Sequence, residues 1–317
     1  MYTTLLKTDS FDSSRCSLYA NASVNIQGTT KLYGILGWPV THSLSPMFQS
    51  LFLQQRGLDA AYLPFGVKPE LLEQAMDGLW ALGVEGFNVT VPHKEAVFRR
   101  VSCDNDARKI GAVNTVRRTA SGWQGTNTDW KGFLAVVEGI DVDMHGQRAM
   151  LFGAGGTARA ALHALALLNL EKLYVCNRNA DRLDSFLKFA QKTYPDLRCE
   201  AVSWQQQDVN RASSECLLLA NTTSIGLAKN DVFPFELAGH GACIDAVYSP
   251  GGETPFTKAG GERYVVDGLP MLIAQGAESF AWWHGDEMPD RVAALSWMEA
   301  YLNRRPTALP GWGEGRL

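Results

Sequence analysis

The chain has 317 residues, 46% hydrophobic and 20% charged, a globular composition long enough for two cores of ordinary size. A formal net charge of −4, with lysines and arginines scattered along the chain, gives no electrostatic footprint for nucleic acid or an anionic membrane. The longest apolar run, residues 158–170, is broken by Arg159, His163 and Asn169 and falls short of the ~18–20 residues of a bilayer span.

Residues 1–30 are rich in Ser, Thr and Asn and have no sustained apolar centre, so they read as a flexible tail and not as a secretory signal. From there the sequence predicts a strand at 32–37 and a helix at 46–55, with Ser45 as its N-cap and Pro46 in its first turn. A strand at 62–67, a helix at 69–82 closed by Gly83, and a strand at 86–91 ended by Pro92 follow. A helix at 94–101 and a strand at 112–118 complete the first series, before a turn at Ser121-Gly122.

The pattern restarts at Gly146. A strand at 148–152, a helix at 157–170 and a strand at 172–176 make a βαβ unit. Further strands are predicted at 199–204, 216–220, 243–247 and 264–266, and residues 272–302 read as helical. This alternation predicts an α/β protein whose second half is an open, doubly wound parallel sheet. The cysteines are widely spaced, without a C-x-x-C pair, and fit buried free thiols in a reducing cytoplasm. The histidines show no metal-ligand spacing, so no metal site is expected.

Gly153-Ala154-Gly155-Gly156-Thr157-Ala158 fits the G-x-G-x-x-G/A turn between a strand and a helix. Its first glycine permits the tight turn and its second lets backbone approach a pyrophosphate. The small third residue lets helix and strand pack closely, and the helix N-terminus favours the anion. Taken alone, the same residues also fit an ordinary glycine-rich turn. The end of the next strand, where an NAD site places an acid, holds Asn177-Arg178-Asn179, with Arg182 one turn on. Two guanidinium groups suit a 2′-phosphate, which selects NADP; the alternative is two surface arginines at a helix start.

Three polar segments precede that unit: 42–46 with Ser43 and Ser45, 88–94 with Asn88, Thr90 and Lys94, and Asn127-Thr128-Asp129. Alternation puts Asn88 and Thr90 on one face of their strand, and Lys94 opens the next helix, near the strand end where α/β sheets bind ligands. A lysine there is ordinarily a solvated helix-start residue, and Asp129 fits an N-cap.

At these residues the sequence resembles the shikimate dehydrogenase family. The matching motifs are Ser43-x-Ser45-Pro46, the run 88–94, 112–115 around Asn114, 125–129, the glycine turn, Asn177-Arg178, 221–226 around Thr223, and 267–275 from Asp267 to Gln275. They run in order from about residue 33 to 303. The resemblance implies a substrate domain at 31–131 plus 270–303, a Rossmann domain at 132–269 that binds NADP, and a cleft between them. The implied reaction is the reversible reduction of 3-dehydroshikimate to shikimate in aromatic amino-acid biosynthesis. Lys94 and Asp129 match the family's catalytic pair. Ser43, Ser45 and Tyr248 match residues around the substrate carboxylate, and Thr90, Asn114 and Gln275 match further substrate contacts. Ala246 and Gly268 match backbone contacts to the nicotinamide. Members occur as monomers and as homodimers.

Ketone reduction needs a hydride at carbon and a proton at oxygen as charge builds there, and a lysine ammonium held by a carboxylate suits the second task. The chain departs from the commonest family pattern at Trp130, Pro270 and Thr222, and the bulky Trp130 is expected to narrow the cleft. Three other readings stand beside this one. A quinate/shikimate dehydrogenase using NAD or both cofactors differs by one ring hydroxyl on its substrate, which inspection excludes poorly. A catalytically silent NADP-binding regulator would be expected to have lost Lys94 or Asp129. The methylenetetrahydrofolate dehydrogenases also pair a lysine-bearing domain with a Rossmann domain, but the Ser-x-Ser and Asn-Thr-Asp segments favour the shikimate family.

Overall fold

A computed structural model describes residues 26–285 and 287–312. The chain enters its first strand at Lys31, and most of the expected tail, residues 1–25, lies outside the described residues.

Two six-stranded sheets organise the chain. The first contains β1 (Lys31–Gly37), β2 (Ala60–Gly66), β3 (Gly86–Val89), β4 (Ser102–Cys103), β5 (Thr115–Thr119) and β6 (Gly122–Thr126). Their order is β2-β1-β3-β5-β6-β4. Helical crossovers make β1 parallel to both β2 and β3, while β5 runs antiparallel to β3 and to β6. Helices Ser45–Gln55, Leu269–His284 and Arg291–Tyr301 bury Phe48, Phe52, Phe280 and Met298 against one face. Phe87, Val97, Val113 and Val116 fill the other.

The second sheet contains β7 (Arg148–Phe152), β8 (Lys172–Cys176), β9 (Cys199–Val202), β10 (Leu218–Asn221), β11 (Ala242–Asp245) and β12 (Tyr264–Val266). All its pairs are parallel, in the order β12-β11-β10-β7-β8-β9. Helices cover both faces, so strands such as β8 are buried at every position and read as continuous apolar runs. The strand order reverses between β7 and β10, which opens a crevice at their carboxyl ends. Helix Asp129–Gly139 joins the two halves, packing on both Leu269–His284 and Gly156–Ala166.

Several expectations need correction. Ser45 is the first helical residue and not a cap: Leu44 holds the N-cap position, without a side-chain cap bond. Asp129 likewise stands inside its helix, after Thr128. The helix expected at 69–82 is a 3-10 turn, Pro69–Leu71, followed by Leu72–Ala81, and the helix expected at 94–101 ends at Phe98. The C-terminal helical run is two helices, parted where Gly285 takes φ +92°. Strands β4 and β6 and helix Asn105–Ile110 were not expected at all. The described cysteines, Cys103, Cys176, Cys199, Cys216 and Cys243, are free.

Candidate active site

The crevice of the second sheet faces the polar edge of the first across a cleft of about 1380 Å³. Ser43, Ser45, Thr90, Lys94, Asn114, Asp129 and Gln275 line it from one side, and Thr157, Thr223, Ala246, Tyr248 and Gly268 from the other. Gly153, Ala154, Gly155, Gly156, Ala158, Asn177, Arg178 and Arg182 do not line this cleft; they form the turn beyond it and the adjacent strand end.

Lys94 opens helix Lys94–Phe98 just past the end of β3, and Asp129 opens helix Asp129–Gly139. Their side chains are 15% and 7% exposed, and Lys94 Nζ donates to Asp129 Oδ2 at 2.6 Å. The second carboxylate oxygen accepts from Asn114 Nδ2 at 2.8 Å, and the Asp129 N–H donates to Asn127 Oδ1 at 3.0 Å. The carboxylate is therefore fixed at both oxygens, and it fixes the ammonium in turn. Asn114 Nδ2 also donates to Gln275 Oε1 at 3.0 Å, which ties the pair to helix Leu269–His284.

A buried polar network behind the pair was not anticipated from sequence. Tyr62 donates to Asn88 Oδ1 at 2.7 Å, and Asn88 Nδ2 donates to Ser279 Oγ at 2.9 Å and Thr115 Oγ1 at 3.1 Å. Thr128 donates its N–H to Asn114 Oδ1 at 2.7 Å and its hydroxyl to the Gln275 carbonyl at 2.9 Å. Unpaired, such groups would each cost about 1–3 kcal/mol; paired, they fix one geometry. A signal was available, because Ser279 lies four residues after Gln275 and so on the same helix face.

Across the cleft, Tyr248 Oη accepts from the Leu44 N–H at 3.3 Å and lies 3.4 Å from the His42 carbonyl, to which it donates. It thus bridges the two halves beside Ser43 and Ser45. Burial pushes its phenol pKa up, so the hydroxyl stays protonated. Ser43 Oγ accepts from the Ser45 N–H at 3.2 Å. Thr90 presses against Gly37, where an added Cβ would come within 2.3 Å of the threonine methyl.

The glycine turn leaves β7 toward helix Gly156–Ala166. Gly153 has φ +116°, and a Cβ there would lie 2.6 Å from Thr222 Oγ1, so both backbone and space exclude a side chain. Gly155 holds the N-cap with no side-chain cap bond and open space beside its Cα, which leaves the helix N–H groups to a ligand. Ala158 is fully buried against the sheet. Arg178 and Arg182 are exposed beside the turn, and neither forms an ion pair with a described residue. A dinucleotide carrying a 2′-phosphate fits this cradle.

Trp130 does not narrow the cleft, contrary to expectation. It turns away and meets His163 edge-on at 5.0 Å, packing over Ile110, Ala112 and Ala160 between the two halves. Pro270 sits in the first turn of helix Leu269–His284, where no N–H is needed, and Thr222 Oγ1 donates to the Phe152 carbonyl at 2.8 Å. Among the described residues no cluster of three or more His, Cys, Asp or Glu could hold a metal ion.

Residues 35–116 match the family model of the shikimate dehydrogenase substrate binding domain, and 268–293 that of the shikimate 5'-dehydrogenase C-terminal domain. A shikimate dehydrogenase (NADP(+)) of Crocosphaera subtropica is 38% identical over 273 residues, covering 81% of this chain and 92% of that protein. The crystal structure of the Aquifex aeolicus shikimate dehydrogenase superposes with TM-score 0.76 at 35% identity, covering 86% of this chain and 99% of its own. That of the Thermus thermophilus enzyme, solved with NADP(H) and shikimate, gives 0.73 at 31% identity, covering 86% and 99%. On this identity, spread along most of its length, the chain belongs to the shikimate dehydrogenase family.

Proposed function

We propose that the cleft carries out the reversible NADPH-dependent reduction of 3-dehydroshikimate to shikimate, with Lys94 as the acid that protonates the carbonyl oxygen. The observation that carries this reading is the Lys94–Asp129 pair, held at 2.6 Å and facing the glycine-turn half. NADPH, when bound, supplies the hydride; Gly153–Ala158, Asn177, Arg178 and Arg182 hold its phosphates, and Thr223, Ala246 and Gly268 adjoin its nicotinamide end. Lys94 polarises the ketone and donates its proton as negative charge develops, while Asp129 holds the ammonium in line. Ser43, Ser45 and Tyr248 hold the substrate carboxylate, and Thr90, Asn114 and Gln275 orient the ring hydroxyls. In the reverse direction Lys94 accepts the proton.

The domain division that goes with this reading is 31–131 plus 270–303 for substrate and 132–269 for cofactor. A reducing cytoplasm suits its free thiols. Preference for shikimate over quinate rests on the Ser43 and Ser45 hydroxyls, and NADP over NAD on the two exposed arginines. The test is direct. Mixing protein, NADPH and 3-dehydroshikimate should consume the reduced-nicotinamide absorbance, and shikimate with NADP+ should restore it. Cofactor binding without turnover in either direction would favour the silent-regulator reading instead.

A further inference from the structure

We infer that Arg304 is a positioning residue for this reaction, setting Tyr248 and Gly268 through a buried clamp on Asp267. The inference rests on the functional reading above. Arg304 lies beyond both segments that match the family models and well beyond the last matching motif, 267–275.

The side chains of Arg304 and Asp267 are 4% and 0% exposed. Arg304 Nη1 donates to Asp267 Oδ2 and Nη2 to Oδ1, both at 2.8 Å, the parallel two-bond geometry that only a guanidinium supplies. The carboxylate passes this order on. Oδ2 accepts from the Ser249 N–H at 3.2 Å and Oδ1 from the Leu269 N–H at 3.4 Å. Nη1 also reaches the Ser249 carbonyl at 3.4 Å, and Gly252, with φ +80°, leaves room for the guanidinium face: a Cβ there would come within 3.1 Å of it.

Ser249 follows Tyr248, and Leu269 follows Gly268. One guanidinium therefore fixes the chain on either side of the cleft wall that meets Leu44 and adjoins the nicotinamide site. Gly268 has no slack of its own. Its N–H donates to the Val247 carbonyl at 2.9 Å, and a Cβ would lie 2.5 Å from the Ala246 oxygen. A buried ion pair is a weak source of net stability, but losing one partner strands the other charge. Positional precision at Tyr248 is what the clamp adds.

The experiment is a double-mutant cycle read in substrate affinity. Arg304→Lys keeps the charge and loses the paired geometry. It should raise KM for 3-dehydroshikimate, and the calorimetric Kd for shikimate, roughly tenfold, with kcat within about threefold, because ground-state positioning is lost and not the proton donor. In a Tyr248→Phe background the same substitution should change both constants by less than about twofold. Unchanged constants in a folded Arg304→Lys protein, or equal increases in both backgrounds, would overturn the inference. Should Arg304→Lys fail to fold, Arg304→Gln with Asp267→Asn removes both buried charges together and gives the same readout. Wild-type turnover reports separately on the functional reading, and shikimate binding gives the comparison without turnover.

Discussion

Lys94 and Asp129 are separated by 35 positions in the chain and by 2.6 Å in space, and each depends on the other. Removing the ammonium deletes the proposed proton donor and leaves a carboxylate 7% exposed without its cation. Lys94→Ala is therefore expected to lower kcat by roughly 10²–10⁴-fold. It should also lower thermal stability, since the Asp129 carboxylate keeps only its Asn114 donor. NADPH binding should survive, because Lys94 is not part of the glycine turn. Steady-state kinetics, calorimetry with NADPH and a thermal melt check the three parts, and near-normal turnover would remove Lys94 from the mechanism. Arg178 is the proposed cofactor counterpart. Arg178→Ala should raise KM for NADPH by roughly 10- to 100-fold, the scale of lost charge-assisted bonds, and leave KM for NADH nearly unchanged. Equal losses for both cofactors would show that no 2′-phosphate clamp exists there.

At the scale of elements, the switch between β7 and β10 rests on one buried acid at the end of the neighbouring strand. Asp245 ends β11, accepting from Asn221 Nδ2 at 2.8 Å, from the Val247 N–H at 2.9 Å and from the Thr254 hydroxyl at 2.5 Å. Burial outweighs these donors and raises its pKa to about 7. The native state then keeps a proton that the unfolded chain, with an ordinary aspartate near 3.9, has released. Between about pH 4 and 7 the unfolded state binds fewer protons, so this group makes stability fall as pH rises, by about 1.4 kcal/mol per pH unit, and level off above 7. Asp245→Asn keeps the shape without the charge and should remove that slope. Urea unfolding from pH 5 to 8 checks it; parallel curves for both proteins would place the titration elsewhere.

Legibility at this scale followed composition. β7 and β8 came out at their observed bounds because strands buried on both faces are nearly unbroken apolar runs, and β12, an edge strand exposed at Tyr264 and Val265, because its aromatic and β-branched residues suit a strand. β6 was invisible because Gly122, Gln124 and Gly125 suit few strands, and Gly125 is there for space: a Cβ would come within 2.7 Å of Val101. Helix Asn105–Ile110 carried both its signals, Asp104 capping the Ala107 N–H at 2.8 Å and Gly111 at φ +72°, but spans too few turns to show periodicity. The candidate site was legible where adjacent residues carry it, as at Lys94, which lines the cleft, and in the glycine turn that joins β7 to its helix. Trp130 was misplaced because sequence gives its bulk and not its direction. The Arg304–Asp267 clamp was unseen because no local pattern joins those positions.

Across the whole molecule, the two halves are held by more than the helices that pass between them. After helix Arg291–Tyr301 the chain runs back as a strap. The Thr307 N–H donates to Glu299 Oε1 at 2.7 Å, Tyr264 of β12 bonds the Ala308 carbonyl, and Trp312 closes onto helix Asp129–Gly139. Trp312 Nε1 donates to the Ala135 carbonyl at 2.8 Å, the ring is 8% exposed, and Gly139 leaves room for it: a Cβ there would come within 2.8 Å of Nε1. Arg291 stacks over the other face, 4.6 Å from the ring centre. Truncating a tryptophan packed in this way costs about 3–5 kcal/mol. In a chain of this size Trp312→Ala should lower the melting temperature on the order of 10 °C. The contact lies near the far end of the helix from Asp129, so KM for 3-dehydroshikimate should stay within about twofold of wild type, where Arg304→Lys should move it tenfold. Differential scanning calorimetry beside steady-state kinetics separates the two. A melting temperature changed by less than about 2 °C would mean that the strap closes without holding the halves together.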